Sequence, residues 1–357
     1  MTASERRLMR EAGLSAQGPF HTGMRIVFTG NNLLLCLIAL AVLIALPDAA
    51  WSQALSSPSQ NPSSDSYTLR VNANLVILNA TVLDHHNALV SGLDKADFKI
   101  HEDRVLQQIK DFSHEDLPVT VGLVVDNSRS MMPKRADVID AALSFARSSN
   151  PQDQMFVVNF NDHVYFGLPA GIPFTDRRDQ LQLALSSITA IGQTALYDGI
   201  ATALDHLKQG NSGKKVLILI SDGGDNASKH SLAQVIVMAR NSSAIIYTIG
   251  IFDAQDGDQN PDVLKRFAKE TGGEAFFPES SKEIAYLCEK IARDIRNQYT
   301  LTYVPAVSKQ DGEYRAVDVT VRATRHGRLS VRTRAGYSAP LALPPPATGA
   351  IGHAAHN

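Results

Sequence analysis

Val119-Thr120-Val121-Gly122-Leu123-Val124-Val125 runs directly into Asp126-Asn127-Ser128-Arg129-Ser130. The first part is a continuous, mostly apolar run bounded by polar residues, the pattern of a strand covered on both faces of a parallel sheet. Similar runs recur at residues 155–160, 216–220 and 244–251. Among them lie helical patterns at residues 135–147, 178–188, 195–208, 232–240, 263–270 and 282–297. This alternation predicts βαβ units and an α/β fold with a doubly wound, mostly parallel sheet. Ligands of such sheets sit outside the carboxyl ends of the strands, here the loops after Val125 and Ile220.

Outward from this α/β domain, placed at residues 117–297, the texture turns to β on both sides. In the N-terminal β segment, residues 67–116, Leu69 to Leu75 alternate with polar residues and residues 76–83 form a second run. Asp84-His85-His86-Asn87 reads as a turn, and residues 98–103 as a strand whose return is residues 108–112. In the C-terminal β segment, residues 298–340, strands are expected at 299–304, 314–323 and 328–334, with turns at Asp311-Gly312 and His326-Gly327. Neither segment has enough strands for its own core, so the two are expected to pair into one flanking all-β sandwich.

Arg6, Arg7, Arg10 and Arg25 precede an uncharged apolar run at residues 33–46, closed by Pro47 and small residues. A run of about 14 residues suits an export signal and falls short of the roughly 20 that a spanning helix needs. Residues 1–54 therefore read as a signal peptide cleaved after Ala54, with Met24 as an alternative start and an uncleaved N-terminal anchor as the competing reading. Residues 55–66, rich in Ser, Pro, Asn and Gln, read as a flexible linker, and residues 341–357, with Pro344-Pro345-Pro346, as a disordered tail. The protein is expected to be exported: periplasmic, cell-surface or secreted. Of its two cysteines, Cys36 lies in the signal, leaving Cys288 without a disulfide partner. With 34 Lys+Arg against 36 Asp+Glu, the net charge of −2 gives no field that would make nucleic acid a partner. Membrane contact is expected only through an uncleaved N-terminus.

In the loop after Val125, a carboxylate and two hydroxyls stand at alternate positions: Asp126, Ser128 and Ser130. Such a loop can converge on a small cation. By itself the pattern is weak, since it also makes a turn with a helix cap. Two further pieces strengthen it. Gly192-Gln193-Thr194 places a threonine just before a helix, and Ser221-Asp222-Gly223-Gly224 places an aspartate at the end of another buried strand. Each also has a structural reading, Thr194 as an N-cap and Asp222-Gly223 as a turn. Jointly, Asp126, Ser128, Ser130, Thr194 and Asp222 read as one all-oxygen metal site. Hard oxygen donors favour Mg²⁺, with Ca²⁺ or Mn²⁺ as alternatives, and disfavour Zn²⁺. With only two carboxylates the ion keeps Lewis acidity, so an acidic residue of a protein partner could fill its remaining position.

These residues resemble the metal-ion-dependent adhesion site (MIDAS) of von Willebrand factor A-type (VWA) domains. Asp126, Ser128 and Ser130 match the first-loop motif, Thr194 the second-loop threonine and Asp222 the third-loop aspartate, with no position departing from the pattern. The wider chain, residues 67–340, resembles the bacterial VWFA-related domain proteins. That likeness runs through Ala96-Asp97-Phe98, Thr194-Ala195-Leu196-Tyr197-Asp198, Ser221-Asp222-Gly223-Gly224-Asp225-Asn226, Glu270-Thr271-Gly272-Gly273, Gln298-Tyr299 and Arg334-Ala335-Gly336-Tyr337. Ser221 stands where threonine is commoner. The resemblance implies a non-enzymatic, metal-dependent protein-binding or adhesion protein, with no catalytic residues and an unknown partner supplying the acidic residue. In the resembled sites Ser128, Ser130 and Thr194 would hold the ion directly or through water, and Asp126 and Asp222 would stand partly behind those ligands.

Two alternatives stay open from the residues alone. One is a structural envelope protein whose metal only staples its loops. The other is an Mg²⁺-dependent hydrolase, for which the sequence lacks a Gly-x-Ser-x-Gly elbow and a histidine in evident relation to Ser128 or Ser130.

Overall fold

The computed structural model describes residues 75–187, 189–252, 259–307 and 310–341. The expected signal or anchor, the linker, residues 67–74 and the tail from residue 342 onward lie outside the described residues. The elements in chain order are β1 (Val76–Leu83), β2 (Phe98–Glu102), β3 (Val105–Gln107), β4 (Ile109–Ser113), β5 (Val119–Asp126), α1 (Arg135–Ser148), β6 (Gln154–Phe160) and β7 (Val164–Phe166). They continue with α2 (Arg178–Ser186), α3 (Leu196–Leu207), β8 (Lys214–Ser221), α4 (Leu232–Asn241), β9 (Ala244–Gly250), α5 (Pro261–Thr271), β10 (Ala275–Phe276) and α6 (Ser281–Arg296). The last four are β11 (Tyr299–Tyr303), β12 (Tyr314–Val321), β13 (Ser330–Arg332) and β14 (Gly336–Ser338).

Every residue of β5 is buried, as its unbroken apolar reading requires. It is central in a six-stranded sheet of order β10-β9-β8-β5-β6-β7, parallel except for the edge strand β7. Helices α1, α2 and α6 pack together in one layer and α3, α4 and α5 in another. The helix ends carry local reasons. Ser231 and Gln234 form a capping box at α4, and Asn260 accepts the Val263 N–H at the start of α5, whose first residue is Pro261. Among the described residues, no helix is long and apolar enough to cross a membrane.

The flanking strands form two four-stranded antiparallel sheets, β13-β1-β11-β4 and β14-β12-β2-β3, each mixing N- and C-terminal strands. Leu78, Ala80, Phe98, Ile100, Tyr299 and Leu301 share their buried core. The expected hairpin return at residues 108–112 is corrected. The strand returning against β2 is β3, joined by a tight turn in which Asp103 and Arg104 both take positive φ. Residues 109–113 instead cross to the other sheet, where β4 pairs with β11. A tight turn leaves no room for a longer loop, and the apolar alternation is the same in either partner sheet, so the pattern could not tell them apart.

The Gly272-Gly273 pair fixes how α5 returns to the sheet. Gly272 ends the helix at φ +84°, and a Cβ on Gly273 would sit 2.0 Å from the Ile246 carbonyl oxygen in β9. Gly273→Ala is expected to destabilise the protein by about 3 kcal/mol or more, because backbone must move. Gly213→Ala, where a Cβ would meet nothing within 4 Å, serves as the tolerated control in denaturant unfolding.

Candidate functional site

Strands β5 and β8 are neighbours from which the chain departs in opposite directions, to β6 and β7 on one side and to β9 and β10 on the other. That is a topological switch point, and the carboxyl ends of its two strands carry Asp126 and Ser221, followed by Asp222. The loop containing Thr194 reaches the same place. Backbone bonds join it to the first loop, from Ile191 N to Asn127 O (3.0 Å) and from Arg129 N to Gly192 O (3.3 Å). Its link to the third loop is reciprocal. Thr194 N donates to Asn226 Oδ1 (2.9 Å), and Asn226 N donates back to Thr194 O (3.0 Å).

The five expected residues are brought together in two layers. Ser128, Ser130, Thr194 and Asp222 line an open cleft of about 300 Å³. Ser130 Oγ donates to Asp222 Oδ2 (2.6 Å), the Ser128 and Ser130 hydroxyl oxygens are 3.1 Å apart, and Gly224 N donates to Asp222 Oδ1 (3.0 Å). Asp126 lies behind this lining. Its Oδ1 accepts the Ser128 N–H (2.8 Å) and its Oδ2 accepts the Ser221 hydroxyl (2.6 Å). Both of its oxygens are therefore engaged in shaping the loops, and its charge acts on the cleft from beneath.

The hydroxyls are not spent on capping. Ser128 precedes the 3-10 turn Arg129–Lys134 without making a cap bond, and the N-cap of α1 is Lys134. The N-cap of α3 is Ala195, one residue beyond Thr194, whose hydroxyl has no hydrogen-bond partner among the described residues. Asp222 does make the turn expected of it, with Gly223 at φ +82°.

Burial, and secondarily the charge of Asp222, push the Asp126 carboxyl up to about 7. A carboxylate held in this way is stabilised by a nearby cation. Three hydroxyls and the Asp222 carboxylate, backed by Asp126, form a hard, oxygen-only set that fits Mg²⁺ or a similar divalent cation. No group of three or more His, Cys, Asp or Glu residues that could hold a metal ion occurs among the described residues. The hydroxyl-rich cleft therefore rests on Ser and Thr. Cys288 is buried in the core, with its thiol pushed up to about 12 by that burial, and is far from thiolate chemistry.

Sequence reasoning gave no role here to Ser221, Asn226 or Asn127. Ser221 Oγ bridges Gly223 N (3.0 Å) and Asp126, so a hydroxyl is what this position needs, and serine supplies it as threonine would. Asn226 belongs to the quoted third-loop motif, but only folding shows it bound to the Thr194 backbone. Asn127 is fastened by Val125 O and Asn159 Oδ1 and receives the Arg135 guanidinium. An asparagine between two expected ligands carries no separate signal in the sequence.

Residues 120–290 match the family model of the von Willebrand factor type A domain. No curated protein matches the chain. Among solved structures, the chain is similar to a von Willebrand factor type A protein from Catenulispora acidiphila, at 14% identity and a TM-score of 0.46, covering 76% of this chain and 75% of that one. It is also similar to the vWF domain of the type V pili tip protein Mfa5 from Porphyromonas gingivalis, at 16% identity and a TM-score of 0.43, covering 50% of this chain and 95% of that one. A third likeness is to BatB from Bacteroides thetaiotaomicron, at 15% identity and a TM-score of 0.37, covering 50% and 98%.

Proposed function

A von Willebrand factor type A domain occupies residues 120–290 of this chain, and from that premise we propose an exported, non-enzymatic protein that grips a protein partner through a divalent cation. Mg²⁺ is held by Ser128, Ser130, Thr194 and Asp222, with Asp126 acting from behind, and an acidic side chain of the partner completes its coordination. The observation that carries this reading is the convergence of three hydroxyls and a carboxylate on one cleft. Ser128, Ser130 and Thr194 face one cleft, none makes a side-chain cap bond to a helix, and the Thr194 hydroxyl has no hydrogen-bond partner among the described residues. Binding is favoured over a purely structural ion because backbone bonds and the Asn226 side chain already tie the three loops together. Export rests on the basic stretch followed by the apolar run at residues 33–46.

Chemistry on a substrate would require a base free to take a nucleophile's proton, and the carboxylate that Ser130 faces, Asp222, is itself one of the residues proposed to hold the ion. The Ser130 hydroxyl is turned to Asp222, and the Ser128 hydroxyl meets that of Ser130. No histidine bonds either of them among the described residues, an arrangement suited to holding an ion.

The test is a pull-down from the native envelope or medium with wild type and Asp126→Ala side by side, with and without EDTA. A partner retained by wild type in Mg²⁺ and lost with EDTA or with Asp126→Ala is expected. Capture that is equal under all conditions would overturn metal-dependent binding, and a complete lack of captured partner would favour the structural ion.

A further inference from the structure

Arg129 stands between two residues proposed to hold the ion, and the metal reading leaves its side chain without a task. Its backbone is fixed by the bond to Gly192 O, while its side chain is exposed and has no hydrogen bond, ion pair or ring partner among the described residues. It nevertheless lines the same cleft as Ser128, Ser130, Thr194 and Asp222. The carboxylates around it are committed elsewhere. Asp222 faces Ser130 and the Gly224 N–H, Asp126 faces Ser128 N and Ser221, and Asp162 accepts the Gln193 N–H (2.5 Å). Arg135, by contrast, is engaged by Asn127 and by Leu185 O. The charge of a divalent cation is offset by Asp222 beside it and Asp126 behind it, so one partner carboxylate on the ion leaves the guanidinium unmet.

We propose that Arg129 reads a second carboxylate, so that the partner presents an acidic segment with two acidic side chains, one for the ion and one for the guanidinium. The inference rests on the metal reading of this cleft. Guanidinium pairs with carboxylate through two parallel hydrogen bonds, which gives the contact direction as well as strength. Because Arg129 is flanked directly by two of the ion's donors, the two carboxylates suit alternate residues of an extended segment, ~7 Å apart. Met132 and Ile191, exposed on the same two loops, offer apolar surface beside the charged centre.

The test is selection of displayed random peptides on the full chain in Mg²⁺ with elution by EDTA, for wild type, Arg129→Gln, Arg129→Glu and Asp126→Ala. Melting curves confirm that each variant is folded. Wild type is expected to enrich paired acidic residues. Arg129→Glu is expected to enrich one acid with a Lys or Arg in the second place, and to bind the wild-type peptides at least about tenfold more weakly. Exchanging the second acid for Lys should restore binding to Arg129→Glu. The same two-acid pool from wild type and Arg129→Glu, or single acids from wild type, would overturn the role of Arg129 and leave the metal reading standing. No EDTA-eluted pool from wild type, or an identical pool from Asp126→Ala, would overturn both.

Discussion

In EDTA at pH 8, Asp126→Asn is expected to be more stable than wild type, while losing the stabilisation that the proposed site would draw from Mg²⁺. Burial raises the Asp126 carboxyl from 3.8 to about 7 in the ion-free fold. The folded state then binds more protons than the unfolded state across that interval, so its stability falls as pH rises from about 4 through 7. Above pH 7 the full cost of a buried charge is present, at most about 4 kcal/mol for a shift of this size. Asparagine removes that charge and keeps both contacts. Its carbonyl can accept Ser128 N–H, and its amide can donate to Ser221 Oγ, which still accepts Gly223 N–H. The gain over wild type should therefore be larger at pH 8 than at pH 5, and Mg²⁺ should stabilise wild type more at pH 8 than at pH 5. Thermal or denaturant unfolding at the two pH values, with EDTA and with Mg²⁺, reads all of this. A variant less stable than wild type in EDTA at pH 8 would show that Asp126 is already well solvated or paired without an ion. On the proposed function, such a gain is the expected cost of holding a charge ready for an ion.

Arg332→Met is expected to cost up to about 3–5 kcal/mol, because it leaves a buried carboxylate with only its longer contact to Lys290. Arg332 ends β13 and donates to Asp294 Oδ2 on α6 at 2.8 Å and also to Glu274, while Lys290 lies 3.0 Å from Glu274 and 3.5 Å from Asp294. The Asp294 side chain is only 2% exposed, so solvent cannot replace a lost partner. The cluster joins the last helix of the α/β domain to the sandwich strand beside β1. Replacing Arg332 and Asp294 together by Met and Leu should recover most of the loss, since a well-packed apolar pair substitutes for a buried ion pair and leaves Lys290 with Glu274. A shift in the denaturation midpoint of the double variant as large as the sum of the two single shifts would refute this account.

Much of the candidate cleft was legible from residue order, because its oxygen-bearing residues sit at places a sheet must expose. Asp126 and Ser221 end apolar runs, and a strand that runs out of apolar residues at its carboxyl end delivers the next side chains to the switch point. Which of these residues line the cleft and which lie behind it was not legible. Asp126 lies behind the cleft because two partners hold it there, one local (Ser128) and one 95 residues away (Ser221). No spacing rule reports a bond of the second kind.

Local chemistry by itself determined the buried strands, the helices between them and the oxygen-rich loop, since hydrophobic period and turn residues act within a few positions. Only tertiary structure decided which sheet receives residues 109–113, that Thr194 stops short of capping α3, and that Arg332 and Asp294 meet. Each of these depends on a partner distant in the chain, and burial makes that partner worth more than any local preference. The run at residues 119–125 shows both levels. Its composition made it a strand, and its neighbours β6 and β8 made its end the rim of a cleft.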